Sequence, residues 1–215
     1  MASAGNWETC YISRYLQEVR GYEATPPDMG VIKRGRIAEA AVAKAHPSWE
    51  ANDDRHMKVQ LPSINWDSLK GLKVRRDIHV GYPDLLDEDG GPVEVKGMWA
   101  HNFEKVGGLI DFIDGHKYQL EYVLQLAGYV HQMRKPGRFV LYSHGEEKGN
   151  IPAGAMKEIP MSVEQADEIY QMYLDGLFPV KSCKYCKMSI HCRVYFDAKG
   201  LKPTPNSDMR LAEVV

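Results

Sequence analysis

Gly81-Tyr82-Pro83-Asp84-Leu85-Leu86-Asp87-Glu88-Asp89-Gly90-Gly91-Pro92-Val93-Glu94-Val95-Lys96 is the stretch on which the fold of this chain turns. It reads as two short strands joined by an Asp-Gly-Gly turn. Strand residues alternate faces, so Glu94 and Lys96 point one way while Val93 and Val95 point into the opposite layer. Folding of the turn brings Asp84 to the same place. Two carboxylates then stand ready for a hard cation, with a lysine for a nucleophile or a phosphate. An E-x-K triplet alone is common, ordinarily a solvated strand face with a weak ion pair. Joined to a Pro-flanked aspartate, a Gly-rich turn and a valine-containing strand, it points to a catalytic site.

Working outward, residues 6–20 place Trp7, Cys10/Tyr11, Tyr15 and Val19 at helical spacing. After Pro26-Pro27, Asp28 is the N-cap expected for a second, alanine-rich helix running to about Ala45 and stopped before Pro47. Glu39 lies within it among Ile37, Ala38, Ala40 and Ala41, and a charge in that company needs a partner. Residues 57–62 and 71–80 read as strands. Residues 97–116 are expected to be irregular, aromatic-rich and substrate-facing. Tyr118, Tyr122, Gln125, Leu126 and Tyr129 mark a helix to about Met133. A tyrosine stripe is more often core than function, but a buried Gln125 must find hydrogen-bond partners. Strands over 138–144 and Met156–Met161 follow, and Ser162-Val163-Glu164-Gln165 is a capping box opening a helix to about Leu174. This order of elements predicts an α/β fold, a mixed central sheet flanked by helices.

The chain has 215 residues, 44% hydrophobic and 26% charged, as expected of one soluble domain, and no apolar run is long enough for a membrane span. Its start has no basic or apolar stretch of a secretion signal, which predicts a cytoplasmic protein, in the host cytoplasm if phage-encoded. Net charge is −2, which argues against coating nucleic acid through bulk positive charge. Any such grip must be local, from Lys33/Arg34/Arg36, Lys70/Lys73/Arg75/Arg76, Arg134/Lys135/Arg138 or Lys181/Lys184/Lys187, each of which is ordinarily a solvated face.

Cys183, Cys186 and Cys192 form a C-x2-C-x5-C run, and Cys10 stands alone near the start. In a reducing compartment a tight thiol trio suggests a metal site rather than disulfides. Cys10 or His191 supplies the fourth ligand, and the thiolates suit either Zn²⁺ or an iron–sulfur cluster. Cys10 as the fourth ligand would staple the two ends of the domain.

Taken together, these motifs resemble the RecB-like branch of the PD-(D/E)XK nuclease superfamily. Within it they are most similar to the iron–sulfur members: the CRISPR-associated RecB-like exonucleases, the AddB nuclease domain and phage relatives. Gly35-Arg36-Ile37-Ala38-Glu39 resembles the first-helix motif, Gly81-Tyr82-Pro83-Asp84 the aspartate motif and Glu94-Val95-Lys96 the E-x-K motif. Gln125-Leu126-Ala127-Gly128-Tyr129 matches QxxxY, with Tyr122 just before it, and the four cysteines match the [4Fe–4S] pattern. The resemblance spans Cys10 to Cys192. Asp77 in Arg75-Arg76-Asp77-Ile78 is a rival to Asp84, since some relatives carry the aspartate upstream.

The resemblance implies a restriction-endonuclease-like core over residues 1–200, with Cys10 and residues 179–193 forming an iron–sulfur region that joins the N- and C-terminal segments, and a tail over 201–215. It implies Mg²⁺ or Mn²⁺ held by Glu39, Asp84 (alternatively Asp77), Glu94 and the Val95 carbonyl, with Lys96 acting on the water or the transition state. Gln125, Tyr129 and Tyr122 would contact DNA. Trp99, His101 and Phe103 either stack on unpaired bases or pack. The expected activity is a metal-dependent DNA exonuclease acting on single strands or DNA ends in recombination, repair or phage DNA metabolism. The alternatives are a CRISPR adaptation nuclease working with integrase proteins and trimming spacer precursors, or a non-catalytic DNA-end-binding iron–sulfur module.

Overall fold

The computed structural model describes residues 29–52, 59–61, 79–109, 111, 120–145 and 151–174. Cys10, Asp77, Cys183, Cys186 and Cys192 lie outside the described residues, as do the helix expected over 6–20, residues 179–193 and the tail. The elements in chain order are α1 (Met29–Ala45), β1 (Glu50–Ala51), β2 (Val59–Leu61), β3 (His79–Gly81), β4 (Leu85–Leu86), β5 (Pro92–Met98), α2 (Ala100–Lys105), α3 (Leu120–Met133), β6 (Gly137–Ser143), β7 (Met156–Met161) and α4 (Val163–Leu174).

Five strands form one sheet in the order β1-β4-β5-β6-β7, and β2 pairs with β3 separately. The β4–β5 and β6–β7 pairs are antiparallel, whereas β5 and β6 run parallel, Val95 opposite Val140. The sheet is therefore mixed. A parallel neighbour requires a crossover, which α2 and α3 supply.

Strand alternation divides the core in two. Val93 and Val95 of β5 and Val140 of β6 pack with Ala38 and Val42 of α1. Phe139 and Leu141 of β6 face the other way, onto Val123, Leu126, Ala127 and Val130 of α3 and Ala166 and Tyr170 of α4. Helices thus cover both faces, as the element order predicts. Among the described residues no helix is long and apolar enough to cross a membrane.

Local chemistry sets the boundaries. Pro47 follows α1 closely and cannot continue it. After α3, Arg134 takes a left-handed conformation (φ 55) and donates its N–H to the Val130 carbonyl at 2.9 Å, and Pro136 follows. The capping box forms as expected: Gln165 N–H donates to Ser162 Oγ at 3.2 Å, and Ser162 N–H to Gln165 Oε1 at 2.9 Å.

The stretch after β5 departs from expectation, because residues Ala100–Lys105 are helical rather than irregular. Phe103 inserts into the core, and Lys157 Nζ donates to the carbonyls of Phe103 (3.0 Å) and Val106 (2.6 Å), satisfying acceptors that the end of so short a helix leaves open. Periodicity over six residues was too short to show it.

The turn between β4 and β5 is tied by Asp87. Its buried carboxylate accepts from the N–H groups of Asp89 (3.1 Å) and Gly91 (2.7 Å) and from Arg138 Nη2 (2.7 Å), while Gly90 supplies the required left-handed residue (φ 72). This fixes the register Leu85↔Val93 that places Asp84 opposite Glu94.

Candidate active site

Asp84 immediately precedes β4. Its Oδ2 accepts the Val95 N–H at 2.8 Å, and its own N–H donates to the Val93 carbonyl at 3.2 Å. Neighbouring elements brace the approach to it. Asn52, just past β1, donates from Nδ2 to the Pro83 carbonyl (2.9 Å) and from its backbone to the Asp84 carbonyl (3.1 Å). On the other side the Tyr129 hydroxyl of α3 donates to the Tyr82 carbonyl (3.2 Å) and accepts the Tyr82 N–H (3.0 Å). Gln125 Nε2 donates to that same hydroxyl at 3.1 Å. A Cβ at Gly81 would overlap the Tyr129 ring, so only glycine lets the phenol reach the backbone beyond it.

Glu94 is 1% exposed, and Lys96 Nζ donates to its Oε1 at 2.5 Å. Glu94 Oε2 is buried and has no hydrogen-bond partner among the described residues. Burial pushes the Glu94 carboxyl up to about 8, the nearby Asp84 charge adds to this, Lys96 opposes it, and Glu39 contributes a smaller upward push. For Lys96, burial acts to lower the pKa, but the Glu94 and Asp84 charges outweigh it and hold the ammonium above its ordinary range. Its Nζ lies 4.5 Å from the centroid of the half-buried Tyr122 ring, a cation–π contact. The Tyr129 phenol is held well above its ordinary range, first by burial.

The structure thus brings together Asp84, Glu94, Val95, Lys96, Tyr122, Gln125 and Tyr129, with Glu39 of α1 within electrostatic reach. Tyr129 is fully buried, its hydroxyl engaged with Tyr82 and Gln125. Trp99 and His101 are exposed, but Phe103 is core. The Arg134/Lys135/Arg138 cluster is occupied internally: Arg134 pairs with Asp167, Lys135 donates to the Asp89 carbonyl, and Arg138 pairs with Asp87 and Glu158. Sequence reading missed Asn52, which sits outside any periodic pattern, and had no signal for the Gly81–Tyr129 contact, which joins residues far apart in sequence.

An orphaned, buried carboxylate oxygen beside a second carboxylate fits a hard divalent cation such as Mg²⁺ or Mn²⁺. Among the described residues no three His, Cys, Asp or Glu side chains are gathered closely enough to form a complete ligand set.

No family model matches the chain, and no curated protein matches it. Among solved structures, the crystal structure of SSO0001 is similar over 76% of this chain and 68% of its own, with 18% sequence identity and a TM-score of 0.38.

Proposed function

We propose that this protein is a Mg²⁺- or Mn²⁺-dependent DNA exonuclease with a restriction-endonuclease-like core, hydrolysing phosphodiester bonds of single-stranded DNA or DNA ends in recombination, repair or phage DNA metabolism. One observation carries the reading: Asp84, Glu94 and Lys96 converge in a site where Glu94 keeps a buried oxygen without a partner. A cation bound by Asp84 and Glu94, with Glu39 and the Val95 carbonyl alongside, would lower the pKa of a water and neutralise charge on the phosphate. Glu94 gives up its proton on taking the cation, so binding tightens as pH rises towards about 8. Lys96 stays protonated and offers charge to the phosphate or orients the attacking water. Tyr122 lies against the Lys96 ammonium on the α3 side, and the Tyr129–Gln125 pair holds the backbone that presents Asp84.

The same reading, through the resemblance to iron–sulfur nucleases, proposes a [4Fe–4S] cluster, alternatively Zn²⁺, on Cys10, Cys183, Cys186 and Cys192. The central test is digestion of end-labelled single- and double-stranded linear DNA with Mg²⁺ and Mn²⁺. Glu94→Ala and Lys96→Ala are each expected to abolish digestion while the protein stays folded. Undiminished digestion in both variants rules the proposal out.

A further inference from the structure

The C-terminal end of β5 leads into a cluster that the chemistry above does not use. Trp99 continues β5 with extended backbone (φ −71, ψ 150) and is 42% exposed. The Arg34 guanidinium carbon of α1 lies 5.4 Å from the centroid of its ring. His144, just beyond β6, meets Trp99 edge-on with centroids 5.9 Å apart and meets Tyr142 likewise at 5.3 Å. It sits directly over Gly97, where any Cβ would overlap its ring, so its position is fixed by the strand beneath. Burial, with the Arg34 charge second, holds the imidazole below its ordinary range and therefore neutral at pH 7.

Arg34 differs from Arg134 and Arg138, both of which are ion-paired: among the described residues no carboxylate pairs with it. A guanidinium with no counter-ion among the described residues, against an exposed indole with a neutral ring at its edge, suits a flat ring carrying an anion. Free phosphate lacks the ring, and an aromatic peptide side chain lacks the anion. A nucleotide has both.

Position agrees with this. Trp99 is three residues past Lys96, about 10 Å along an extended chain. Arg34 is five residues before Glu39 on α1, about 7.5 Å along the axis. The odd spacing turns Trp99 towards α1 rather than α3, so the cluster lies past the end of β5 on the α1 side of the sheet, and a strand cut at Lys96 reaches it by passing round that end.

We propose that Arg34, Trp99 and His144 form a subsite for an unpaired nucleotide of the strand being cut, its base stacked on Trp99 and its phosphate at Arg34. The DNA must then be single-stranded or frayed at that point. This rests on the reading of Asp84, Glu94 and Lys96 as a phosphodiester-cutting site.

The test measures binding of short labelled single-stranded and blunt duplex DNA to the full chain carrying Lys96→Ala, with divalent cations chelated. Trp99→Ala is expected to weaken single-strand binding about ten-fold or more, in line with base–aromatic stacking, and duplex binding much less. Trp99→Phe should retain most of the affinity. Arg34→Ala should reduce the salt dependence by about one phosphate contact. Should Trp99→Ala melt early, the Arg34→Ala salt slope and Trp99→Phe decide the matter. The subsite is overturned if the Trp99 and Arg34 variants bind single strands as the parent does, or if single-strand and duplex binding fall equally. If the unsubstituted protein never digests DNA yet Trp99→Ala still loses single-strand binding, the cutting site fails and the subsite stands. If digestion depends on Lys96 while Trp99 and Arg34 variants bind and cut normally, the reverse holds.

Discussion

The buried carboxyl of Glu94 should make the metal-free protein lose stability as pH rises, opposite to the usual behaviour of a paired carboxylate. In the folded chain Glu94 titrates at about 8, against an ordinary value of 4.5. Below pH 4.5 both states hold the proton and there is no pH dependence from this group. Between pH 4.5 and about 8 the folded state keeps the proton while the unfolded state has released it, so stability falls by about 1.4 kcal/mol per pH unit. Over the whole window this accumulates to about 4–5 kcal/mol, an appreciable part of the roughly 5–15 kcal/mol that holds a domain folded. Above the window both states are ionised and the curve levels. Lys96 remains protonated throughout and adds no slope of its own. His144, with its pKa lowered, contributes with the opposite sign: its stabilisation is lost as pH falls below the ordinary imidazole range. The measurement is therefore a difference: denaturant unfolding of the chelated parent and of Glu94→Gln across this pH range. Glutamine keeps the shape without the proton, so its curve should lack the decline, and Lys96→Met should keep Glu94 protonated to still higher pH. Added Mn²⁺ should stabilise the parent most at the alkaline end. Parallel curves for parent and Glu94→Gln would refute the reasoning.

Three further outcomes follow from the same geometry and sequence. Tyr129→Phe leaves the Tyr82 N–H and carbonyl without their partner and is expected to cost about 1–3 kcal/mol in thermal or chemical unfolding. Gly81→Ala drives a methyl into the Tyr129 ring, with an expected cost of about 1–3 kcal/mol or more, partly relieved in the Gly81→Ala/Tyr129→Phe double variant only if the ring can move. Protein purified without oxygen should be brown and absorb broadly at about 400 nm if the four cysteines hold iron and sulfide. Cys186→Ser should then lose colour and melt early; a colourless, zinc-loaded anaerobic preparation would refute the cluster.

The hairpin was legible because its information is local. A Gly-rich turn and period-two alternation in Val93–Lys96 set the register, and Glu94 and Lys96 share a face for that reason alone. The two-sided packing followed from the order of helices and strands. Tertiary contacts left no such mark. Asn52 bracing Pro83 and Asp84, Arg34 over Trp99, and the six-residue α2 each depend on partners dozens of residues away. The basic clusters show the limit from the other side: Arg134, Lys135 and Arg138 look like Lys33, Arg34 and Arg36 in sequence. Only the fold tells which cations are already matched by carboxylates and carbonyls.

Helix α3 shows why the choice between core and function had no single answer at the tyrosine stripe. Leu126, Ala127 and Val130 close the apolar layer against Phe139 and Leu141. Tyr122, Gln125 and Tyr129 occupy the adjoining edge of the same helix, where the sheet face passes from Phe139 and Leu141 of β6 to Glu94 and Lys96 of β5. A helix side three to four residues wide meets both, so its aromatic bodies can fill core volume while its polar ends meet the site. Tyr129 does both at once: its ring is fully buried over Gly81 and its hydroxyl grips the backbone two residues before Asp84. Rigidity at the carboxylates is thereby coupled to packing of the core. A substitution at Gly81 or Tyr129 should lower stability and displace Asp84 together, whereas one at Lys96 should alter chemistry with little loss of fold.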